Sequence, residues 1–467
     1  MHSPPVSPAS SRDDSFLKRL LLVALSVFMA VAWFGGGPTV DVGSTDEWLM
    51  LLALPLVALA GALLLFQLPA SRFVRSALLL ALLVPVIPML QLLPLPESMW
   101  EWSSVHRLVA ADLRIAGIEP ISYPWTMWPE STIRALLALL PALACFVGAL
   151  ALGDAPNRRL VPLLLGLILA NLAFGLFQVG LPPNSAMRLY TDNGSGIGGV
   201  LVNGNHQGTA LIVGMLLALG MWARERVRRR DDGQRQGLVA IGYAAVSLVC
   251  LVAVALTGSS AAMLIAILAY AIAVVATGLL SIRRIRSSRG GMVAGIAVAA
   301  LLVLGLLSAQ GWLNLEQTDA VRYELAREAT ALGLGHAPFG SGAGTFVDSF
   351  AQSASPLFQR GEYVNHAHNE FAQWWFEAGW LGLLLMGLVL GLVAASGWRL
   401  MRGRRRDPVA IACWLAVVTM LAHSWVDFPL RTISLMSLAA FMCGFVVTAA
   451  DGRATSVEHA PAVVPQA

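Results

Sequence analysis

The sequence predicts an all-α integral membrane protein of about twelve transmembrane helices, with one large non-cytoplasmic loop near residues 310–373. Three observations lead there. Of 467 residues, 57% are hydrophobic and only 12% are charged, whereas a soluble domain carries roughly 25% charged residues to cover its wet surface. Apolar runs of about 20 residues, the length that crosses ~30 Å of hydrocarbon, recur along the whole chain. These runs do not alternate in polarity, and lipid requires every spanning backbone group to be bonded internally, so they are helices and not barrel strands. Finally, the basic residues alternate from loop to loop as a fixed orientation demands.

The spans read as 16–34, 48–66, 74–93, 134–152, 160–180 and 206–223, then 238–256, 261–280, 291–309, 374–397, 409–427 and 433–450. Nine therefore fall within 16–309 and three within 374–450. Residues 1–15, rich in Ser and Pro, and the tail 451–467 read as disordered and cytoplasmic. With the N-terminus inside, 23 of the 31 basic residues fall in inner segments and 8 in outer loops. The inner set includes Arg224, Arg226, Arg228, Arg229 and Arg230, then Arg283, Arg284 and Arg286, then Arg402, Arg404, Arg405 and Arg406. One missed or invented span would destroy that alternation. Arg12, Lys18 and Arg19 ahead of an apolar run with Ala30-Val31-Ala32 imitate a cleavable signal peptide. The run is long for a signal segment, which favours a retained anchor.

The net charge of +4 and the pI near 9.1 call for no nucleic-acid partner. The basic clusters lie in short inner loops, where they set topology and meet anionic lipid head groups. Cys145, Cys250, Cys413 and Cys443 fall within spans, far apart and without metal-ligand spacing, so they read as small buried apolar residues. Neither a P-loop nor another nucleotide-binding pattern occurs in the inner loops, which argues against ATP-driven work by this chain. The outer loops hold the polar chemistry. Loop 94–133 carries Trp100, Trp102, Trp125 and Trp128, suited to the membrane interface; loop 181–205 is rich in Gly and Asn; loop 310–373 is the largest.

That last loop ends in Asn365-His366-Ala367-His368-Asn369-Glu370 and runs on through Gln373, Glu377, Gly379 and Gly382 into a span. So many polar groups at a membrane boundary are costly unless they pair or line a wet cavity. On a helix, His366 and Glu370 would pair at i,i+4, while His366 and His368 would point apart. Three readings stand: an interfacial polar cap, an acid/base centre built on imidazole, and a metal site from His336, His366 and His368. No spacing resembles the HExxH helix.

His368-Asn369, followed after nine residues by Gly379-x-x-Gly382, resembles the signature of the O-antigen ligase and polymerase family. Other segments resemble it too. Arg322 begins an amphipathic stretch upstream of Ala337-Pro338-Phe339-Gly340-Ser341-Gly342-Ala343-Gly344-Thr345-Phe346; Asn203-Gly204-Asn205-His206 opens the sixth span; and His423-Ser424-Trp425-Val426-Asp427-Phe428-Pro429-Leu430-Arg431 follows the eleventh. The resemblance covers roughly residues 170–450 and implies a membrane glycosyltransferase. Its donor is a polyprenyl-diphosphate-linked glycan; its acceptor is lipid A–core or a lipid-linked repeat unit. No cofactor or metal is implied, and the site faces the periplasm from a bacterial inner membrane.

Within that resemblance, His368 and Arg322 become the catalytic candidates: a base for the acceptor hydroxyl, and a fixed cation for the departing diphosphate. Arg188, Asn203, His206, Asn369, Glu370 and Arg431 become candidate substrate-binding residues. Each has a plainer reading. Arg322 could pair with Glu324 or Glu328, His206 could be a helix-start polar group, and Asp427 with Arg431 could form an ion pair that shapes the cavity. The sequence departs from the family at Thr257-Gly258-Ser259-Ser260-Ala261-Ala262, where many relatives carry an arginine. If that arginine grips diphosphate, Arg188, Arg322 or Arg431 must replace it here. The competing function is a secondary transporter or a lipid-linked glycan flippase, which the lack of an inverted repeat disfavours.

Overall fold

The computed structural model describes residues 8–38, 45–67, 69, 71–119, 122–182, 185, 187, 188, 197–232, 235–280, 292, 317–359, 364–403 and 406–452. Helix after helix follows the apolar runs: α1 (Pro8–Gly35), α2 (Thr45–Phe66), α3 (Arg72–Leu83), α4 (Val86–Gln91), α5 (Glu97–Trp100), α6 (Ser104–Ile115), α7 (Pro129–Leu152), α8 (Asp154–Val179), α9 (Gly204–Asp232), α10 (Arg235–Ala255) and α11 (Ser260–Ala276). Then come α12 (Gln317–Gly335), α13 (Phe346–Ser353), α14 (Pro356–Gln359), α15 (Glu370–Arg402), α16 (Pro408–His423) and α17 (Ile433–Asp451). Two short strands, β1 (Pro94–Pro96) and β2 (Ser122–Pro124), pair antiparallel.

Among the described residues, nine helices are long and apolar enough to cross a membrane, and two shorter apolar ones, Ser260–Ala276 and Pro408–His423, accompany them. This is a multi-pass, all-helical membrane protein. Apart from Met292, the span expected at 291–309 lies outside the described residues, as does the tail from 453. Three expectations shift. Helix α1 starts at Pro8, so residues 8–15 are helical. The third span is interrupted at Pro85, which lies between α3 and α4. The span expected at 409–427 ends at His423, where a turn begins.

Helix α9 is the buried axis. Its apolar stretch is 94% buried, walled by α8, α10, α11 and α16. Close approach is possible because of glycines on its flanks: a Cβ at Gly208 would stand 2.6 Å from Ala262, and one at Gly220 2.6 Å from Ala412. A second layer packs α17 on α7 and α7 on α2. Leu238, Ile241 and Val252 on α10 point outward, as lipid contact requires.

The helix ends sort into two groups. Lys18, Gln67, Ser71, Asp154 and Asp451 surround one cavity at one end of the bundle, the basic end. At the opposite end, the outer-loop segments meet each other. Ser103 Oγ donates to Gly335 O at 2.8 Å, Met127 N to Ser341 O at 2.9 Å, and Ser434 N to Gly36 O at 3.0 Å. Segments assigned to one face of the membrane thus contact partners from that same face. Three of the cysteines are buried, and Cys443 is partly so.

Candidate active site

The site is assembled at the helix ends opposite the basic end. Helix α15 begins only at Glu370, because Asn369 caps it: its side chain accepts from Phe371 N and Ala372 N, both at 3.0 Å. Residues 364–369 therefore lie outside the helix, and the i,i+4 pairing expected of His366 and Glu370 does not form. His366 Nδ1 lies 3.3 Å from Gln373 Oε1 instead. Glu370 reaches across to the α16–α17 turn, accepting from Ser424 Oγ at 3.0 Å and Leu430 N at 2.8 Å. Two candidate ligands, Asn369 and Glu370, are thus occupied in holding the turn and helix in register.

His368 sits just before the cap with φ +50°, a left-handed conformation that is rare and strained for a residue with a Cβ. That backbone turns its ring toward Asp427, with Nδ1 3.4 Å from Oδ1. This is an ion-pair distance, longer than a formed hydrogen bond. Asp427 is 1% exposed and His368 retains 23% side-chain exposure. The His therefore bridges a buried carboxylate and open space. Burial pushes the Asp427 carboxyl up, but His368, His206 and His423 around it outweigh burial and hold it below the usual carboxylate range.

Phe428 forms the hub. Its ring centroid lies 5.1 Å from that of His206, 4.2 Å from His366 and 4.9 Å from His368. His423 completes the group, with Nδ1 2.7 Å from Thr209 Oγ1 near the start of α9. Burial, the Arg431 charge and the neighbouring histidines push His366 down to about 3, so that ring is neutral near pH 7. Several buried atoms here lack a hydrogen-bond partner: both ring nitrogens of His206, Nε2 of His423, and both carboxylate oxygens of Asp427. Unpaired buried polar atoms are expensive and cluster where chemistry or ordered water needs them.

Arg431 does not pair with Asp427. Its Nη1 meets Glu377 Oε2 at 3.0 Å, and Gln373 Nε2 donates to Glu377 Oε1 at 3.0 Å. Residues 429–431, which lead to Arg431, form a 3₁₀ turn. Arg322 lies on α12, near enough to His423 for their charges to interact. Glu324 pairs with Arg327 at 2.9 Å, and Glu328 accepts from Ser355 Oγ at 2.8 Å. Asn203 accepts from Asn205 N at 2.8 Å and opens α9, which delivers His206 to the cluster. Arg188 donates to Leu181 O at 2.8 Å, and no contact with the cluster is seen for it among the described residues.

The glycine-rich turn docks into a break in α15. At Gly379 (φ +57°) the helix loses its regular bonding. Ser341 N then donates to Phe376 O at 2.9 Å, Gly342 N to Glu377 O at 3.0 Å, and Trp380 N to Pro338 O at 2.9 Å. A Cβ on Gly379 would stand 2.2 Å from Pro338 O. The two halves of the motif are a plug and its socket, which fix Glu377 beneath the site. His336 belongs elsewhere: it packs on Phe376 at 4.8 Å, and burial and nearby His106 push it down to about 4. The grouping of His336 with His366 and His368 as metal ligands does not occur. Among the described residues no three His, Cys, Asp or Glu side chains are arranged to hold a metal.

Residues 244–387 match the family model described as O-antigen ligase. Over that stretch the chain is similar to O-antigen ligases. That match includes Arg322, the glycine-rich turn, His368, Gly379 and Gly382. It stops short of His206 on one side and of His423, Asp427, Phe428 and Arg431 on the other, so the cluster draws on segments outside the matched stretch. No curated protein matches the chain. The arginine-free stretch 257–262 lies against the first turn of α9, where Thr257 O would stand 2.5 Å from a Cβ on Gly204. Sequence reasoning missed Phe428, Thr209 and the Asp427–His368 pairing; only the resemblance of the 423–431 segment pointed near them.

Proposed function

We propose that this protein is a membrane glycosyltransferase that moves a polyprenyl-diphosphate-linked glycan onto an acceptor sugar at the periplasmic face of a bacterial inner membrane. The observation that carries this reading is His368 between a buried carboxylate and open space. With Nδ1 turned to Asp427, Nε2 is left to accept a proton from the acceptor hydroxyl. Asp427 orients the ring and stabilises the imidazolium that forms.

The step is a single inverting displacement. The acceptor oxygen forms the new bond to the anomeric carbon, the bond to the diphosphate oxygen breaks, and its electron pair leaves with the diphosphate. The proton passes to His368. A diphosphate is already a good leaving group, so neither ATP nor a cofactor enters the balance. Arg322 supplies counter-charge as the diphosphate departs. Arg431 contributes less, because Glu377 already neutralises it. His206 and His423 enclose Asp427 and keep it directed at His368.

The matching description, O-antigen ligase, favours lipid A–core over a lipid-linked repeat unit as acceptor. The test offers purified protein a synthetic polyprenyl-diphosphate oligosaccharide with lipid A–core, with a second lipid-linked glycan, or with neither. Glycan appearing on lipid A–core is the expected result. Extension of the lipid-linked glycan would make the protein a polymerase, and an intact donor under all three conditions would end the proposal.

A further inference from the structure

At the basic end, far from the histidine cluster, five helix ends enclose a cavity of about 350 Å³, within the ~300–1,000 Å³ range of small-molecule sites. Its lining is of mixed charge. Lys18 supplies one cation, and Asp154 and Asp451 supply two carboxylates. Each acid is held by the protein on one oxygen. Arg158 Nη2 meets Asp154 Oδ2 at 2.8 Å, and Ser71 Oγ donates to Asp451 Oδ1. Asp154 Oδ1 is buried without a partner, which is costly unless something absent from the chain's own atoms pairs with it.

The helix dipoles reinforce the pattern. The C-terminal ends of α2, α7 and α17 face the cavity and favour a cation, while the N-terminal ends of α3 and α8 favour an anion. One wall is apolar, built from Leu63, Leu64 and Val74 on two helices apolar enough to span the membrane. The cavity thus sets polar groups beside the ends of spanning helices.

We propose that this cavity is a binding site for a zwitterionic aminophospholipid of the inner leaflet. The ammonium sits between Asp154 and Asp451, the phosphate faces Lys18, and the acyl chains leave past Leu63, Leu64 and Val74. A purely anionic head group would meet two carboxylates against one lysine, and a bare cation would be left facing Lys18. The site is independent of the transfer chemistry proposed above.

The test is native mass spectrometry of the full-length protein, with phosphatidylethanolamine and phosphatidylglycerol of matched chains titrated separately. Phosphatidylethanolamine should bind about tenfold more tightly, as one added charge-assisted contact would give. Lys18→Gln and Asp451→Asn should each remove that preference; the amide oxygen of the Asp451→Asn side chain can still accept from Ser71, so folding is spared. Equal binding of the two lipids by the unaltered protein would overturn the proposal without recourse to any variant. So would preference surviving in both variants. Competition by soluble phosphoethanolamine as effective as by the lipid would mean a free metabolite site and would also overturn it.

Discussion

The two ends of the bundle handle buried charge in opposite ways. At the basic end, Arg158 lies between Asp154 and Asp407, and Asp407 also caps α16 by accepting from Val409 N at 3.1 Å. Charge there is matched locally for the most part, with Asp154 Oδ1 the exception. At the site end, His206, His423 and Asp427 leave five buried polar atoms without hydrogen bonds. His368 is held at a strained φ, and support comes from a surrounding ring of Glu370, Gln373, Glu377 and Arg431. Charge at one end stabilises the fold; at the other the fold supports under-satisfied groups. Such concentration of local inconsistency is what a reaction centre requires.

The contrast is sharpened most by Glu377→Ala. It removes a carboxylate that is 0% exposed and leaves Arg431 and Gln373 without their acceptor. A loss of about 3 kcal/mol is expected, seen as a large fall in thermal stability of the detergent-solubilised protein. A smaller change would mean that the ring around the site is not structural. Gly379→Ala follows at about 2–3 kcal/mol, because the new methyl meets Pro338 O and the backbone resists φ +57°. Stability and transfer should fall together, since the plug that positions Glu377 is displaced.

Much of this was legible in the sequence, and the rest was hidden for identifiable reasons. Apolar runs place spans because the membrane sets their length. His368 was singled out by its spacing to Gly379 and Gly382. The pairing errors come from reading contacts off nearby sequence positions. His366 with Glu370 is an i,i+4 pair only if the chain is helical between them, yet Asn369 caps a helix that starts at Glu370; residues 429–431, between Asp427 and its expected partner, form a 3₁₀ turn. The pairs that do form, Arg431 with Glu377 and Asp427 with His368, join residues more than fifty positions apart. No local spacing rule reaches that far. Phe428 was invisible as a hub because a phenylalanine at a span boundary looks like packing.

Acid should weaken the outer-loop shell. His106, His336 and His366 are pushed down to about 4, 4 and 3, burial being the main cause in each. Their unfolded-state value is about 6.5, so the unfolded chain takes up protons first as pH falls. Stability is therefore complete above about 6.5 and lost below it, by about 2 kcal/mol per histidine at pH 5. Thermal melts at about pH 7.5 and 5 should show this, and His106→Gln should reduce the difference. The smallest effect is expected at the basic end. Arg228→Met should cost about 0.5 kcal/mol, because its exposed pair with Glu225 is screened by solvent, and transfer should be unchanged. A loss of transfer there would break the division between the two ends.

The central claim is that His368, and not its neighbour His366, takes the acceptor proton. Both rings touch Phe428 and both sit at the site end, so polarity alone would make them equivalent. Single-turnover transfer from a synthetic polyprenyl-diphosphate oligosaccharide, measured for His368→Ala and His366→Ala with donor binding followed in parallel, separates them. His368→Ala should slow transfer about 10²–10⁴-fold with donor binding and folded yield retained. His366→Ala should slow it far less, since that ring is neutral and tied to Gln373. An essential His366 with a dispensable His368, or equal modest losses in both variants, would contradict the central claim.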